Sequence, residues 1–186
     1  VRVGKIAMIA KIDLPNEIHQ DSLNNLMIKT ENLNGEFEAA KGSFKIEKLK
    51  APSNLLRQRY WQKPDQYVMT EQEYRKSFPN DIYADEDQAQ TWPVSKELGI
   101  INFNTEENAS LDISSMNIDQ GTYLLTLTTM DKYETPIEVK KVINVYNFKR
   151  DGLTASPLVV KTDKTSYEPG DKVSFYIGSQ YENANV

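Results

Sequence analysis

From Gly121 to Phe148 apolar residues return at every second position, and this run constrains the fold more than any other in the chain. Tyr123, Leu125 and Leu127 share one parity, while Thr122, Thr126 and Thr128 share the other with Leu124. That is the two-residue repeat of a strand, not the 3.6-residue repeat of a helix. Asp131 to Pro136 interrupts the run. Ile137 to Phe148 then resumes it, with Ile137, Val139, Ile143 and Val145 on one parity and Val142, Tyr146 and Phe148 on the other. The pattern predicts a long β-hairpin whose second strand is buried on both faces or carries a bulge.

Shorter segments upstream have the same character. Val3 to Ala10 fits a first strand closed by Leu14-Pro15-Asn16, and Leu26 to Thr30 a second. Asn34-Gly35 is a hairpin dipeptide, because both residue types tolerate positive φ. Glu36 to Ala40 follows, and Gly42 is read as a turn into Ser43 to Leu49, where Phe44 and Ile46 alternate with Lys45 and Glu47. Ile100 to Asn104 and Ser110 to Ile113 read as two strands around a polar turn. Short strands with turn signals about every 8 to 12 residues predict a sandwich or a barrel.

Between Ala51 and Gly99 the alternation stops. Such a stretch far exceeds the usual connection of roughly 4 to 6 residues, and its Trp61, Trp92, Tyr60, Tyr67, Tyr74, Phe78 and Tyr83 make it too aromatic for a linker. Within it, Thr70-Glu71-Gln72-Glu73 is a capping box. Met69 and Tyr74 occupy the staple positions, Phe78 follows four residues after Tyr74, and Pro79 ends a predicted helix of about two turns. The expected organisation is therefore a β-sandwich over 1–149 with an insertion at about 51–99. A linker over 150–157 follows, and then the opening strands of a second, truncated sandwich over 158–186, since a lone hairpin is marginal in water.

Composition narrows the function classes. A net charge of -5 argues against a general phosphate-binding surface, which needs clustered Lys and Arg. With no Cys, disulfides, thiolate catalysis and zinc-thiolate sites are excluded together. No apolar run reaches the roughly 18 residues of a membrane span. The chain begins at Val1 without Met, so the expectation is an excised or processed piece.

Two segments carry a family resemblance. Lys161-Thr-Asp-Lys-Thr-Ser-Tyr167-Glu-Pro169-Gly170-Asp171-Lys-Val173 is similar to the first two strands of the macroglobulin-type sandwich domains of bacterial alpha-2-macroglobulin-like proteins. Gly121-Thr-Tyr123-Leu-Leu-Thr-Leu, with Asp131 after it, is similar to the strand pair that ends such domains. Trp61-Gln-Lys-Pro64-Asp65 through Phe78-Pro79-Asn-Asp81-Ile-Tyr83 resembles an insertion in some bacterial members. The likeness covers less than half of the chain. It implies an all-β, immunoglobulin-like/macroglobulin sandwich. It also implies a non-catalytic scaffold segment of an exported endopeptidase inhibitor, in the periplasm or at the outer-membrane or cell surface. The partners it implies are proteases, met through the full-length protein, and neighbouring macroglobulin-like domains of the same chain; a membrane would be met only through an anchor elsewhere. Glu134 stands where the family often has Gly, so the resemblance predicts a longer loop through Pro136. The thioester Cys of many members is missing.

The candidate sites each have a plain alternative. His19, the single His, lies in the polar stretch Asn16 to Asn25 without a nucleophile motif and is expected to be an exposed loop residue. No catalytic residue, cofactor or metal ligand is assigned. Asp81, Asp85, Glu86 and Asp87 offer hard oxygens to calcium, or else form a solvated charged face. Asn108-Ala109-Ser110 has the form of a glycosylation sequon and is expected to be a turn. Tyr60, Trp61, Tyr67, Tyr83 and Trp92 are the candidate partner-contact residues. Their alternatives are packing over a sheet face or edge strand, and a carbohydrate platform; an adhesion or carbohydrate-binding module is the corresponding second reading of the whole chain.

Overall fold

The computed structural model describes residues 6–52, 56–57, 59–147, 158–162 and 166–179. The expected linker at 150–157 and the end of the hairpin at Phe148 lie outside them. In chain order the strands are β1 (Met8–Asp13), β2 (Glu17–His19), β3 (Asn25–Asn32) and β4 (Lys41–Leu49), then helix α1 (Glu71–Ser77). After it come β5 (Val94–Asn104), β6 (Ser110–Asp112), β7 (Gly121–Met130), β8 (Pro136–Tyr146), β9 (Leu158–Thr162) and β10 (Phe175–Ser179). The chain divides into two compact units, 1–50 with 93–147 and 51–92 with 148–186.

The first unit is a β-sandwich. One sheet has the order β1-β3-β6 and the other β2-β8-β7-β4-β5. The long hairpin is its centre: β7 and β8 pair antiparallel from Gly121↔Val145 to Met130↔Pro136. That register is continuous, so no bulge interrupts β8; Val142 and Tyr146 are half-buried on its second face. Tyr123, Leu125, Leu127, Ile137, Ile143 and Val145 point inward with Phe44 and Ile46 of β4. They meet Met8, Ala10 and Ile12 of β1 and Leu26 and Ile28 of β3. β1 and β3 bury alternate residues, as a two-layer core requires.

Four local features differ from the sequence reading. Glu17–His19 forms a short strand that pairs parallel with β8, so the chain crosses from one sheet to the other at Leu14-Pro15-Asn16. Gly42 does not turn the chain but lies inside β4, where a Cβ would stand 2.1 Å from the Thr128 carbonyl oxygen and 2.9 Å from the Phe103 ring. Close backbone approach, not turning, is what glycine provides there. β5 starts at Val94, six residues before the alternation becomes legible; its register against β4 slips twice, and it lies mostly exposed at a sheet edge. Bulges of this kind mask a periodic pattern. Finally, β5 and β6 belong to different sheets, and the polar turn between them carries the chain across the sandwich.

Two five-residue turns follow one plan. Gly35 donates to the Asn32 carbonyl and Asn32 to the Glu36 carbonyl, while the Asn32 Oδ1 accepts from the amides of Asn34 and Glu36. Between β7 and β8, Glu134 donates to the Asp131 carbonyl and Asp131 to the Thr135 carbonyl, while Asp131 Oδ1 accepts from Tyr133 and Thr135. The left-handed position holds Gly35 in the first turn (φ 85°) and Glu134 in the second (φ 62°). The loop is therefore as short as a glycine would make it, contrary to the longer loop predicted, and Glu134 carries the strain.

Tyr123 fixes the start of β7. Its hydroxyl donates to the Asp119 carbonyl at 2.9 Å and lies 2.6 Å from Asp119 Oδ1, which also accepts from Lys48 Nζ at 2.6 Å. A buried tyrosine bonded back to the chain four residues upstream is the arrangement of a tyrosine corner. Burial and the neighbouring carboxylate push the Tyr123 phenol far above its ordinary range, so it remains a donor. In the second unit β9 and β10 pair antiparallel, and the Tyr167-Glu-Pro-Gly-Asp171 turn is closed by the Asp171 amide on the Glu168 carbonyl. Gly170 (φ 100°) supplies the residue that follows proline in a type II turn.

Candidate protein-contact site

The aromatic segment of the second unit is held together by its own side chains. Helix α1 begins with the capping box expected of Thr70 and Glu73, and Phe78 caps its end. Tyr74 stacks on Phe78 with centroids 5.1 Å apart and on Tyr83 at 5.3 Å, and Tyr83 meets Tyr67 at 4.4 Å. The Tyr83 hydroxyl donates to the Met69 carbonyl. Offset and tilted rings at these separations add to the gain from burial.

Cations organise the polar side. Arg57 pairs with Asp81 at 2.5 Å, Lys63 with Asp85 at 2.7 Å, and Arg75 with both Glu71 and Glu86 at 2.7 Å. Asp81, Asp85 and Glu86 are thus drawn toward different cations, and no group of three metal-ligating residues gathers among the described residues. The Glu86 carbonyl accepts from Trp92 Nε1 at 2.7 Å, and Glu86 Oε2 from the Ala84 amide at 2.6 Å. Arg59 differs from the other cations: its Nη2 donates to the carbonyls of Ile82, Tyr83 and Ala84 at 3.0 to 3.2 Å, and it has no carboxylate partner among the described residues.

Of the five candidate residues, Trp61, Tyr67 and Tyr83 line one concavity of about 320 Å³ with Arg59, Tyr74 and Phe78. Tyr60 lines a smaller adjoining hollow, with Arg59 and Trp61 common to both. Trp92 lines neither and is half-buried with its indole N–H engaged, which gives it a structural part. Tyr60 is 88% exposed, Trp61 62% and the neighbouring Val68 98%. These rings and apolar groups lie open to solvent, the condition that favours a contact surface over packing. Sequence reasoning missed Arg59, since a lone Arg gives no periodic or spacing signal.

His19 stands on the edge strand β2, half-buried, with its ring edge against Tyr146 at 5.5 Å and Nδ1 accepting from the Asp21 amide. It is a strand residue, not the exposed loop residue expected. Asn108 Oδ1 accepts from the Ser110 amide at 2.9 Å, closing the turn expected at the sequon.

No protein-family model, curated protein or solved structure matches this chain. No described helix is long and apolar enough to cross a membrane.

Proposed function

We propose that the chain is a non-catalytic scaffold segment of a bacterial, exported alpha-2-macroglobulin-like endopeptidase inhibitor. The observation that carries this reading is the succession of a complete sandwich by a further strand pair, with the Tyr-Glu-Pro-Gly-Asp turn formed at the place where the likeness is most specific. In this reading stacked sandwiches hold bait and capture elements located elsewhere in the parent protein, and a cut in the bait changes the shape of the cage. The part-buried hydrogen bonds of Tyr123 and Asp131 suit a part that transmits load without chemistry.

The test is made on the parent protein. After cleavage by a broad-specificity protease, that protease is expected to keep its activity on a small chromogenic peptide and to lose it on a large protein substrate. Equal activity on both substrates would remove the reading. The exposed pair Tyr60 and Trp61 favours one alternative, a carbohydrate-binding adhesion module. Quenching of Trp fluorescence by soluble oligosaccharides would support that alternative instead.

A further inference from the structure

The concavity of the second unit combines aromatic walls with one cation. Its walls include the rings of Trp61, Tyr67, Tyr74, Phe78 and Tyr83. Its one cation without a carboxylate is Arg59, half-buried and anchored through a single nitrogen. Nη2 has two hydrogens, shared among three carbonyl oxygens, which leaves the N–H groups of Nη1 and Nε without a hydrogen-bond partner among the described residues. Asp81 also lines the concavity, but its carboxylate is paired with Arg57.

We propose that this concavity docks a protein segment that presents an aromatic or long aliphatic side chain beside a carboxylate. The apolar side chain would enter between Trp61 and the Tyr67–Tyr74 rings, and the carboxylate would accept from Arg59. A guanidinium held in place by backbone carbonyls has already lost its rotamer freedom, so a bidentate pair forms at reduced entropic cost. Trp, Tyr and Arg are also the residues that dominate protein-binding hot spots. A sugar could stack on the same rings but would make no use of the charge of Arg59. The inference concerns this unit alone and is independent of whether the parent protein traps proteases.

The test uses the 186-residue chain, isotope-labelled, and two acetylated, amidated peptides, Gly-Asp-Trp-Gly and Gly-Asn-Trp-Gly, followed by amide chemical shifts. The acidic peptide is expected to shift resonances of residues 59–61, 67 and 82–84 and to bind at least about tenfold more tightly than its neutral twin, the value of one charge-assisted hydrogen bond. Arg59→Gln is expected to abolish the difference between the peptides, and Trp61→Ala to weaken both. Arg59 also ties the 82–84 backbone, so the comparison of the two peptides on the unsubstituted chain is decisive by itself. Equal affinities, no binding by either at millimolar concentration, or the same resonances moved by a methyl glucoside would each overturn the proposal.

Discussion

At the scale of single residues, Glu134 is the plainest point of strain. Its φ of 62° lies in the left-handed region, which costs a side-chain-bearing residue roughly 1–2 kcal/mol. The matching turn at Asn32 places Gly35 in the same position. Glu134→Gly is therefore expected to stabilise the sandwich by about 0.5–1 kcal/mol, after the greater unfolded-state freedom of glycine is subtracted. Urea midpoints of the two proteins measure it. Asp131 and Asp119 contribute to the response to acid. Asp131 is held below the usual carboxylate range chiefly by the amide of Ala7, with those of Thr135 and Tyr133 adding to it. Burial pushes Asp119 up, but the hydrogen bonds from Lys48 and Tyr123 outweigh it and leave that group lowered too. A lowered folded value means that stability from these groups is complete above the unfolded carboxylate range near pH 4 and is lost as pH falls through the folded values. Unfolding midpoints are expected to fall steeply below about pH 4, and Asp131→Asn to flatten that fall while lowering stability at pH 7.

At the scale of elements, β4 is the strand on which the larger sheet depends, because it pairs with both β5 and β7. Gly42→Ala would drive a methyl group into the Thr128 carbonyl and the Phe103 ring. A loss of about 2–3 kcal/mol is expected, since backbone on one side and a buried ring on the other leave little room to adjust. Elements whose side chains alternate without interruption were legible beforehand: the β7–β8 hairpin, the β4 core residues Phe44 and Ile46, and α1, whose capping box is a local signal. Those that escaped had physical reasons to do so. β2 has only three residues and a parallel partner more than 120 positions away, which no local periodicity reports. Slips in register hide the first half of β5. In the candidate site the rings were evident as composition, but the role of Arg59 depends on three carbonyls brought to it by the fold.

At the scale of the molecule, the aromatic segment leaves and rejoins the sandwich at one point. Leu49 pairs with Val94, and the Lys50 amide donates to the Pro93 carbonyl at 2.9 Å, so residues 51–92 are the loop of a β4–β5 hairpin. Replacing them with Asn-Gly, the dipeptide suited to such a closure, is expected to leave a sandwich that still unfolds in one cooperative transition with β-type circular dichroism. Loss of that transition would mean that the sandwich needs the segment in order to fold.

The parallel pairing of β2 with β8 also has a mechanical meaning. Tension that enters ahead of Glu17 and leaves after Tyr146 draws two strands of the same direction past each other along their common axis. The pairs Glu17↔Asn144, Ile18↔Val145 and His19↔Tyr146, with the Asn144 amide on the Asn16 carbonyl, are then loaded in shear and must give way together. An antiparallel pair pulled from its open end would instead unzip one rung at a time. A tether between two moving parts of a larger machine would gain from that stiffness.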